Sequence, residues 1–285
     1  MSLSQQLKQA ASEFEGAGIE SANTDAELLA AHVLKLTRGE LALKVALGEA
    51  EFDDSQLRQF LALVARRALR EPLQHLTGEA HFRNITLKVG PGVFVPRPET
   101  EFVTGLAIDA IKADASPMPV VVDLCAGSGA IGLAIATELP HTKVFGVELS
   151  NEAISYTRTN YEQIAPNNAQ ILHANITDAL HELDGTVDFV ISNPPYIPAA
   201  MVPIYPEVAL HDPALALYGG DDGLDVVKTV SDVAQRLLRP GGGLAIEHAD
   251  IQAEQVRQLL LSRGWTQVRS HQDLNQRDRA VTAIR

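Results

Sequence analysis

Four consecutive residues, Asn193-Pro194-Pro195-Tyr196, carry the most legible chemistry in this 285-residue chain. From average residue usage such a string is expected on the order of once in a thousand chains of this length. A planar amide or an aromatic amine is a weak nucleophile, because its nitrogen lone pair is delocalised. Two acceptors placed on an –NH2 group, the Asn193 side-chain oxygen and the Pro194 carbonyl, fix both hydrogens and aim that lone pair at an electrophile. Successive prolines have a fixed φ and no N–H, so they hold the carbonyl direction. Tyr196 can stack on a planar acceptor group. As positive charge develops on nitrogen, the acceptors bind more strongly than in the ground state, which lowers the barrier. No dedicated general base is required.

A second group lies upstream. Asp123-Leu124-Cys125-Ala126-Gly127-Ser128-Gly129-Ala130-Ile131-Gly132 follows an apolar run and opens a helical one. Glycines there let a ligand approach the backbone and leave the helix N-terminus free for it. Glu148 closes the next apolar run, where a carboxylate can take both hydroxyls of a ribose. Gly127-x-Gly129-x-x-Gly132 satisfies the dinucleotide fingerprint, which keeps a nicotinamide-dependent oxidoreductase open. The spacing from Asp123 to Gly129 also resembles the S-adenosylmethionine loop of class I methyltransferases, and nicotinamide chemistry gives the tetrapeptide no role. Cys125 reads as a small packing residue beside the ligand rather than a nucleophile.

Both groups must stand at the carboxyl ends of parallel strands, where ligands bind in open α/β sheets. Short apolar runs fall at 120–124, 143–148, 169–173 and 187–192, then at 243–247, 267–270 and 280–284, with Ala-, Leu- and Ile-rich helical segments among them. This alternation predicts an α/β, Rossmann-like and mostly parallel sheet, its last strand antiparallel, over residues 99–285. Residues 76–98 read as a hairpin or extended linker, broken by Gly90-Pro91-Gly92. Residues 1–75 read as a small all-α bundle. One of its helices is expected to start at a capping box, Thr24-Asp25-Ala26-Glu27, and another behind Asp53.

Composition narrows the function. The chain has 36 acidic against 23 basic residues and a formal charge of −13, whereas phosphate-binding proteins normally carry a basic excess. Aromatic residues are 5% of the chain, too few for an obvious base-stacking platform. No direct nucleic-acid partner is expected. No run approaches the ~18 apolar residues of a membrane span, and the polar N-terminus lacks a signal-peptide core. The single cysteine, Cys125, cannot form an internal disulfide, so a reducing, cytoplasmic setting fits best. No His/Cys cluster has metal-ligand spacing.

Asn193 to Tyr196 resembles the motif shared by adenine-N6 and glutamine-N5 methyltransferases. The remainder resembles one branch, the release factor glutamine methyltransferases, over nearly all 285 residues. Arg70 to Gly78 (REPLQHLTG) matches the signature closing its helical domain, and Phe94 to Glu101 (FVPRPETE) the entry to its catalytic domain. Asp212 to Leu217, Gly219 to Leu224, and Asp273 with Arg277-Asp278-Arg279 match later segments. The resemblance implies a substrate, the glutamine of the Gly-Gly-Gln loop in class 1 peptide chain release factors. It implies that Cys125, Ala126, Gly127, Ser128, Gly129 and Glu148 hold S-adenosylmethionine, with Asn175 and Ile176 beside its adenine. Asn193, Pro194, Pro195 and Tyr196 would hold the glutamine amide, Asn193 also touching the cofactor, and the helical domain would grip the release factor. Asn175 stands where many relatives carry Asp; its amide oxygen can still accept from an exocyclic amine.

Other residues take plainer readings. Arg97, Glu99 and Thr100 form a linker network or contact cofactor or substrate. Trp265 packs in the core. Asp221 and Asp222 sit in a solvated glycine loop rather than a cation site. His248 is a surface or strand-end residue. The competing functions are methylation of adenine N6, of a ribosomal-protein glutamine, or a non-catalytic binding module. A monomer forming a transient complex is expected.

Overall fold

The computed structural model describes residues 2–285 and divides into two compact units, Met1–Glu79 with Pro203–His211, and Ala80–Val202 with Asp212–Arg285.

The first unit contains α1 (Leu3–Gly16), α2 (Ala22–Leu34), α3 (Arg38–Leu47), α4 (Asp54–Ala68) and α5 (Leu73–Thr77). Phe14, Leu29, Leu41 and Phe60 fill its core. Capping boxes open α1 at Ser2/Gln5, α3 at Thr37/Glu40 and α4 at Asp53/Gln56. The box expected at Thr24/Glu27 does not form. Helix α2 already begins at Ala22, because Ala22 and Ala26 are buried in the core and packing carries the helix toward its N-terminus. Thr24 and Glu27 instead face the Arg38 guanidinium, whose Nε donates to Glu27 Oε2 at 2.7 Å.

The second unit opens with a hairpin, β1 (Glu79–Phe82) and β2 (Ile85–Lys88), followed by α6 (Pro98–Ala113). Then come β3 (Val120–Leu124), α7 (Ala130–Glu138), β4 (Lys143–Glu148), α8 (Ala153–Ile164), β5 (Ala169–His173) and β6 (Val187–Ser192). After α9 (Pro206–His211) and α10 (Ala214–Leu217) the chain continues through α11 (Asp225–Leu237), β7 (Leu238–Glu247), α12 (Ala253–Ser262), β8 (Thr266–Gln272) and β9 (Asp278–Ile284). The seven-stranded sheet runs β5-β4-β3-β6-β7-β9-β8, with β9 antiparallel to both β7 and β8. Its central strands are near-continuous apolar runs because helices cover both faces, giving two buried clusters. Trp265 lies in one of them, its Nε1–H donating to Ser231 Oγ at 2.9 Å.

The order in which strands join the sheet reverses between the parallel β3 and β6, since β4 and β5 build one side and β6 onward the other. That switch point leaves a crevice beyond the strand ends.

Segment 203–211 leaves the second unit soon after β6 and packs within the first. Glu207 of α9 accepts from Arg67 Nη1 at 2.9 Å and Arg70 Nη2 at 2.6 Å. Arg67 is itself buried and donates through Nε to buried Asp25 at 2.8 Å.

Candidate active site

Register places the two chemical groups side by side. Leu124, the last residue of β3, pairs with Ser192 of β6 and with Val147 of β4. The Ser192 hydroxyl donates to the Leu124 carbonyl at 2.6 Å, tying the strand ends together immediately before Cys125 and Asn193. Glu148, ending β4, therefore stands beside the glycine loop. Its Oε2 accepts from Gly127 N at 2.7 Å and its Oε1 from Ser150 N at 2.6 Å. Burial raises its pKa and those two N–H groups oppose the rise. Each oxygen keeps a lone pair for a ligand hydroxyl. At Gly127 an added Cβ would meet nothing within 4 Å, so this edge of the loop borders open space.

The loop is held from behind. Asp123, fully buried, accepts from Gly132 N at 2.9 Å and so caps the first turn of α7. Burial lifts its pKa to about 7, against the Gly132 N–H. The Thr157 hydroxyl donates to the Gly127 carbonyl at 2.6 Å, and Asn160 Nδ2 to the Ser128 carbonyl at 2.9 Å. Ser128 is buried. Half-buried Cys125 has its thiol pushed up to about 12 by burial, with the Glu148 charge adding to the rise, which disfavours the thiolate that a nucleophile needs.

Beyond β5, Ala174 N donates to the Glu148 carbonyl at 3.0 Å, which brings Asn175 and Ile176 to the same edge. Asn175 is exposed, and its Oδ1 accepts from Thr177 N at 3.1 Å in a local turn. Ile176 is buried in the core cluster that contains Val122 and Leu124.

Asn193 to Tyr196 leaves β6 into this crevice. Asn193 Nδ2 donates to Thr100 Oγ1 at 3.2 Å, which turns the amide oxygen away from Thr100. Pro194 is buried and Tyr196 half-buried. The Tyr196 hydroxyl donates to Glu247 Oε1 at 3.3 Å. Burial raises the Glu247 carboxyl to about 7, with the Thr100 hydroxyl and Arg279 pulling the other way. The peptide backbone is braced by Gln252, whose Nε2 donates to the Tyr196 carbonyl at 2.8 Å and the Asp222 carbonyl at 3.3 Å. The glycine segment 219–223 packs directly on the tetrapeptide. A Cβ on Gly219 would stand 2.5 Å from the Pro195 carbonyl oxygen, and one on Gly223 2.2 Å from that of Tyr196.

Several sequence expectations change here. Thr100 is not merely part of a linker, since it meets Asn193. Arg97 belongs to a structural network: it pairs with buried Asp212 at 2.7 Å and lies over the Phe94 ring at 5.1 Å. His248 is past the end of β7 but fully buried, not at the surface, and burial lowers its pKa. Glu247 and Gln252 had no local signal, as each becomes meaningful only when β7 and α12 fold against Tyr196. Asp221 and Asp222 are exposed. Among the described residues, no group of His, Cys, Asp and Glu is disposed to hold a metal, and no helix is long and apolar enough to cross a membrane.

Known proteins share this plan. Residues 5–78 match a family model described as the PrmC N-terminal domain, and residues 84–202 one described as the methyltransferase small domain. The chain is 48% identical over 280 residues to the release factor glutamine methyltransferase of Streptomyces coelicolor, covering 98% of this chain and 96% of that protein. It is 39% identical over 289 residues to a 4-amino-L-phenylalanine/4-methylamino-L-phenylalanine methyltransferase of Streptomyces pristinaespiralis, covering 99% and 95%. A solved methyltransferase from Pyrococcus furiosus superposes with a TM-score of 0.51 at 17% identity, over 81% of this chain and 98% of that one, and shares the fold. With close identity sustained along almost its whole length, the chain belongs to the release factor glutamine methyltransferase family.

Proposed function

We propose that this enzyme transfers the methyl group of S-adenosylmethionine to the side-chain amide nitrogen, N5, of the glutamine in the Gly-Gly-Gln loop of class 1 peptide chain release factors. The observation that carries the reading is the juxtaposition of the glycine loop and the amide-directing tetrapeptide across the β3–β6 strand ends, tied by Ser192 and Leu124. The residues present suit the cofactor. Glu148 offers lone pairs to ribose hydroxyls, and Cys125 to Gly129 form a backbone cradle open at Gly127. Asn175 and Ile176 flank the adenine, and Asn193 borders both ligands. When bound, S-adenosylmethionine supplies an electrophilic methyl group.

The chain's own residues prepare the acceptor. Asn193 Oδ1 and the Pro194 carbonyl accept the two amide hydrogens, Tyr196 stacks on the amide plane, and Pro195 stiffens the turn between them. These acceptors strengthen as positive charge grows on nitrogen. The protonated, methylated amide is a strong acid and loses its proton without a dedicated base. Release factor as substrate rests on the names of the relatives, and the helical unit is the part left to grip it. A cytoplasmic setting, where translation occurs, follows from that substrate, and a monomer is part of the same proposal.

The relative that methylates an aromatic amine shows why the amino group must be tested. Purified release factor incubated with enzyme and S-adenosylmethionine should gain one methyl on the Gly-Gly-Gln peptide, read by mass spectrometry, and none after Gln→Ala. Asn193→Ala in the enzyme should abolish transfer. Label entering 4-aminophenylalanine, a ribosomal protein or adenine instead would overturn the substrate while preserving the chemistry.

A further inference from the structure

Helix α8 presents two adjacent stripes of side chains, each to a different stretch of backbone. Thr157 and Tyr161, one turn apart, face the glycine loop. The Thr157 hydroxyl donates to the Gly127 carbonyl at 2.6 Å, and a Cβ on Gly129 would stand 2.7 Å from Tyr161 Cε2. Glu152, Tyr156 and Asn160 also recur every fourth residue and face the segment that leaves β2. There a Cβ on Gly92 would stand 2.7 Å from that of Glu152, and one on Gly90 would strike the Tyr156 hydroxyl. Asn160 meets Lys88, the last residue of β2, as a neighbouring strand would. Its Oδ1 accepts from Lys88 N at 2.7 Å, and its Nδ2 donates to the Lys88 carbonyl at 3.0 Å. The other Nδ2 hydrogen goes to the Ser128 carbonyl at 2.9 Å. Asn160, 1% exposed, thus belongs to both stripes.

We infer, given that the glycine loop cradles the cofactor, that Asn160 is a positioning residue for S-adenosylmethionine: its amide ties the hairpin strand β2 to the loop, so that ordering one orders the other. One donor and two carbonyls around the amide admit a single orientation, and no flip satisfies all three. The loop has need of outside ties, since Cys125, Gly127 and Gly129 have φ of +64°, +56° and +85° and no regular ladder holds such residues. With the Gly127 carbonyl drawn to α8, the Ser128 N–H, antiparallel to it across the same trans peptide, faces away from the helix. A loop fixed beforehand binds its ligand without first being ordered, and losing a tie therefore weakens binding.

The test is Asn160→Ala beside Asn168→Ala, with S-adenosylhomocysteine as the probe in titration calorimetry. Asn168 is a second amide of the same unit, donating through Nδ2 to the Ala136 and Thr142 carbonyls at 2.9 and 3.4 Å, and neither bond reaches the loop or β2. Asn160→Ala should weaken binding of the probe by about 5- to 10-fold, the net worth of one directed hydrogen bond. The KM for S-adenosylmethionine should rise in step, while that for release factor stays within about twofold. Asn168→Ala should lower the melting temperature and leave the Kd of the probe unchanged. A purely structural role for Asn160 would give that same pattern.

A second readout uses the wild-type enzyme. The Lys88 amide hydrogen is bonded to Asn160, so its exchange with deuterium, followed by NMR, should slow when S-adenosylhomocysteine is added, together with that of Ser128. In Asn160→Ala the Lys88 amide should exchange faster and no longer respond. If that variant does not fold, the wild-type exchange decides alone. Protection of the glycine loop with no change at Lys88, or an Asn160→Ala enzyme that binds the probe as tightly as wild type, would overturn the tie. No binding of the probe by wild type would overturn the cofactor reading and the tie with it. Should release factor remain unmethylated while Lys88 responds to the probe, the proposed substrate falls and the tie stands.

Discussion

Replacing Gly223 by alanine probes how tightly the glycine segment holds the tetrapeptide. Gly223 has φ +76°, and its Cβ position lies 2.2 Å from the Tyr196 carbonyl oxygen and 2.7 Å from Gln252 Nε2. An alanine in the left-handed region costs about 1–2 kcal/mol. Restoring ordinary contact requires roughly 1 Å of movement between two backbones, and overpacking of this kind adds about 1–3 kcal/mol. The expected loss is therefore about 2–5 kcal/mol of stability. The displaced group is the Tyr196 carbonyl, so the Gln252 hydrogen bond breaks and the acceptors shift with it. Misplacement by about 1 Å costs on the order of 100-fold in rate.

Gly185→Ala is the matched control. Gly185 has φ +71° with nothing within 4 Å of its Cβ position, so it should lose only about 1–2 kcal/mol and no activity. Urea unfolding gives the stabilities, and single-turnover methyl transfer at saturating cofactor gives the rates. If Gly223→Ala matches Gly185→Ala in stability and retains wild-type turnover, the glycine segment does not brace the tetrapeptide.

Three further outcomes are expected. Glu247 and Asp123 have folded pKa values raised from 4.5 and 3.8 to about 7, so the native state binds more protons than the unfolded chain between those values. Each therefore makes the fold less stable as pH rises from about 4 toward 7 and has no further effect above. Glu247→Gln should consequently gain stability relative to wild type between pH 5 and pH 8, by at most about 3 kcal/mol; a difference independent of pH in urea titrations would refute that assignment. Arg67→Met leaves buried Asp25 without its guanidinium and Glu207 with only Arg70, and should cost about 3–5 kcal/mol in thermal or urea unfolding. Iodoacetamide at pH 8 should leave Cys125 unmodified in the native enzyme and label it in urea, because burial suppresses the thiolate; rapid native labelling would contradict that account.

The sheet was legible wherever one strand's own side chains decide its burial. The limits of β3, β4, β5 and β6 coincide with the apolar runs; β3, β4 and β6 are largely buried on both faces and need no partner to explain their composition, while β5 is an edge strand marked by its alternation with the helices. β7 begins earlier than expected, at Leu238, because Arg239-Pro240-Gly241-Gly242 carries no strand signal and is drawn in by its neighbours. Leu238 pairs with Val187, while the Phe189 ring covers Gly243. α2 was misplaced for a related reason: two buried alanines outweighed a good local cap. In the site, the tetrapeptide, glycine loop and Glu148 declared themselves through local spacing. Thr100, Glu247 and Gln252 did not, because hydrogen bonds spanning 93, 51 and 56 residues exist only after the topology has formed.

The ion pairs of Glu207 have a consequence for how this protein is made. Arg70 and Glu207 are 137 residues apart, so the helical unit emerges from the ribosome well before its own last segment. At roughly 5–20 residues per second that interval is on the order of ten seconds, during which Arg67 and Arg70 lack the carboxylate they share. The unit that begins synthesis first is thus completed only after β6 and the tetrapeptide have been made. A nascent chain stalled before residue 207 should present a loosened, protease-sensitive helical unit, and one released beyond residue 211 a closed one.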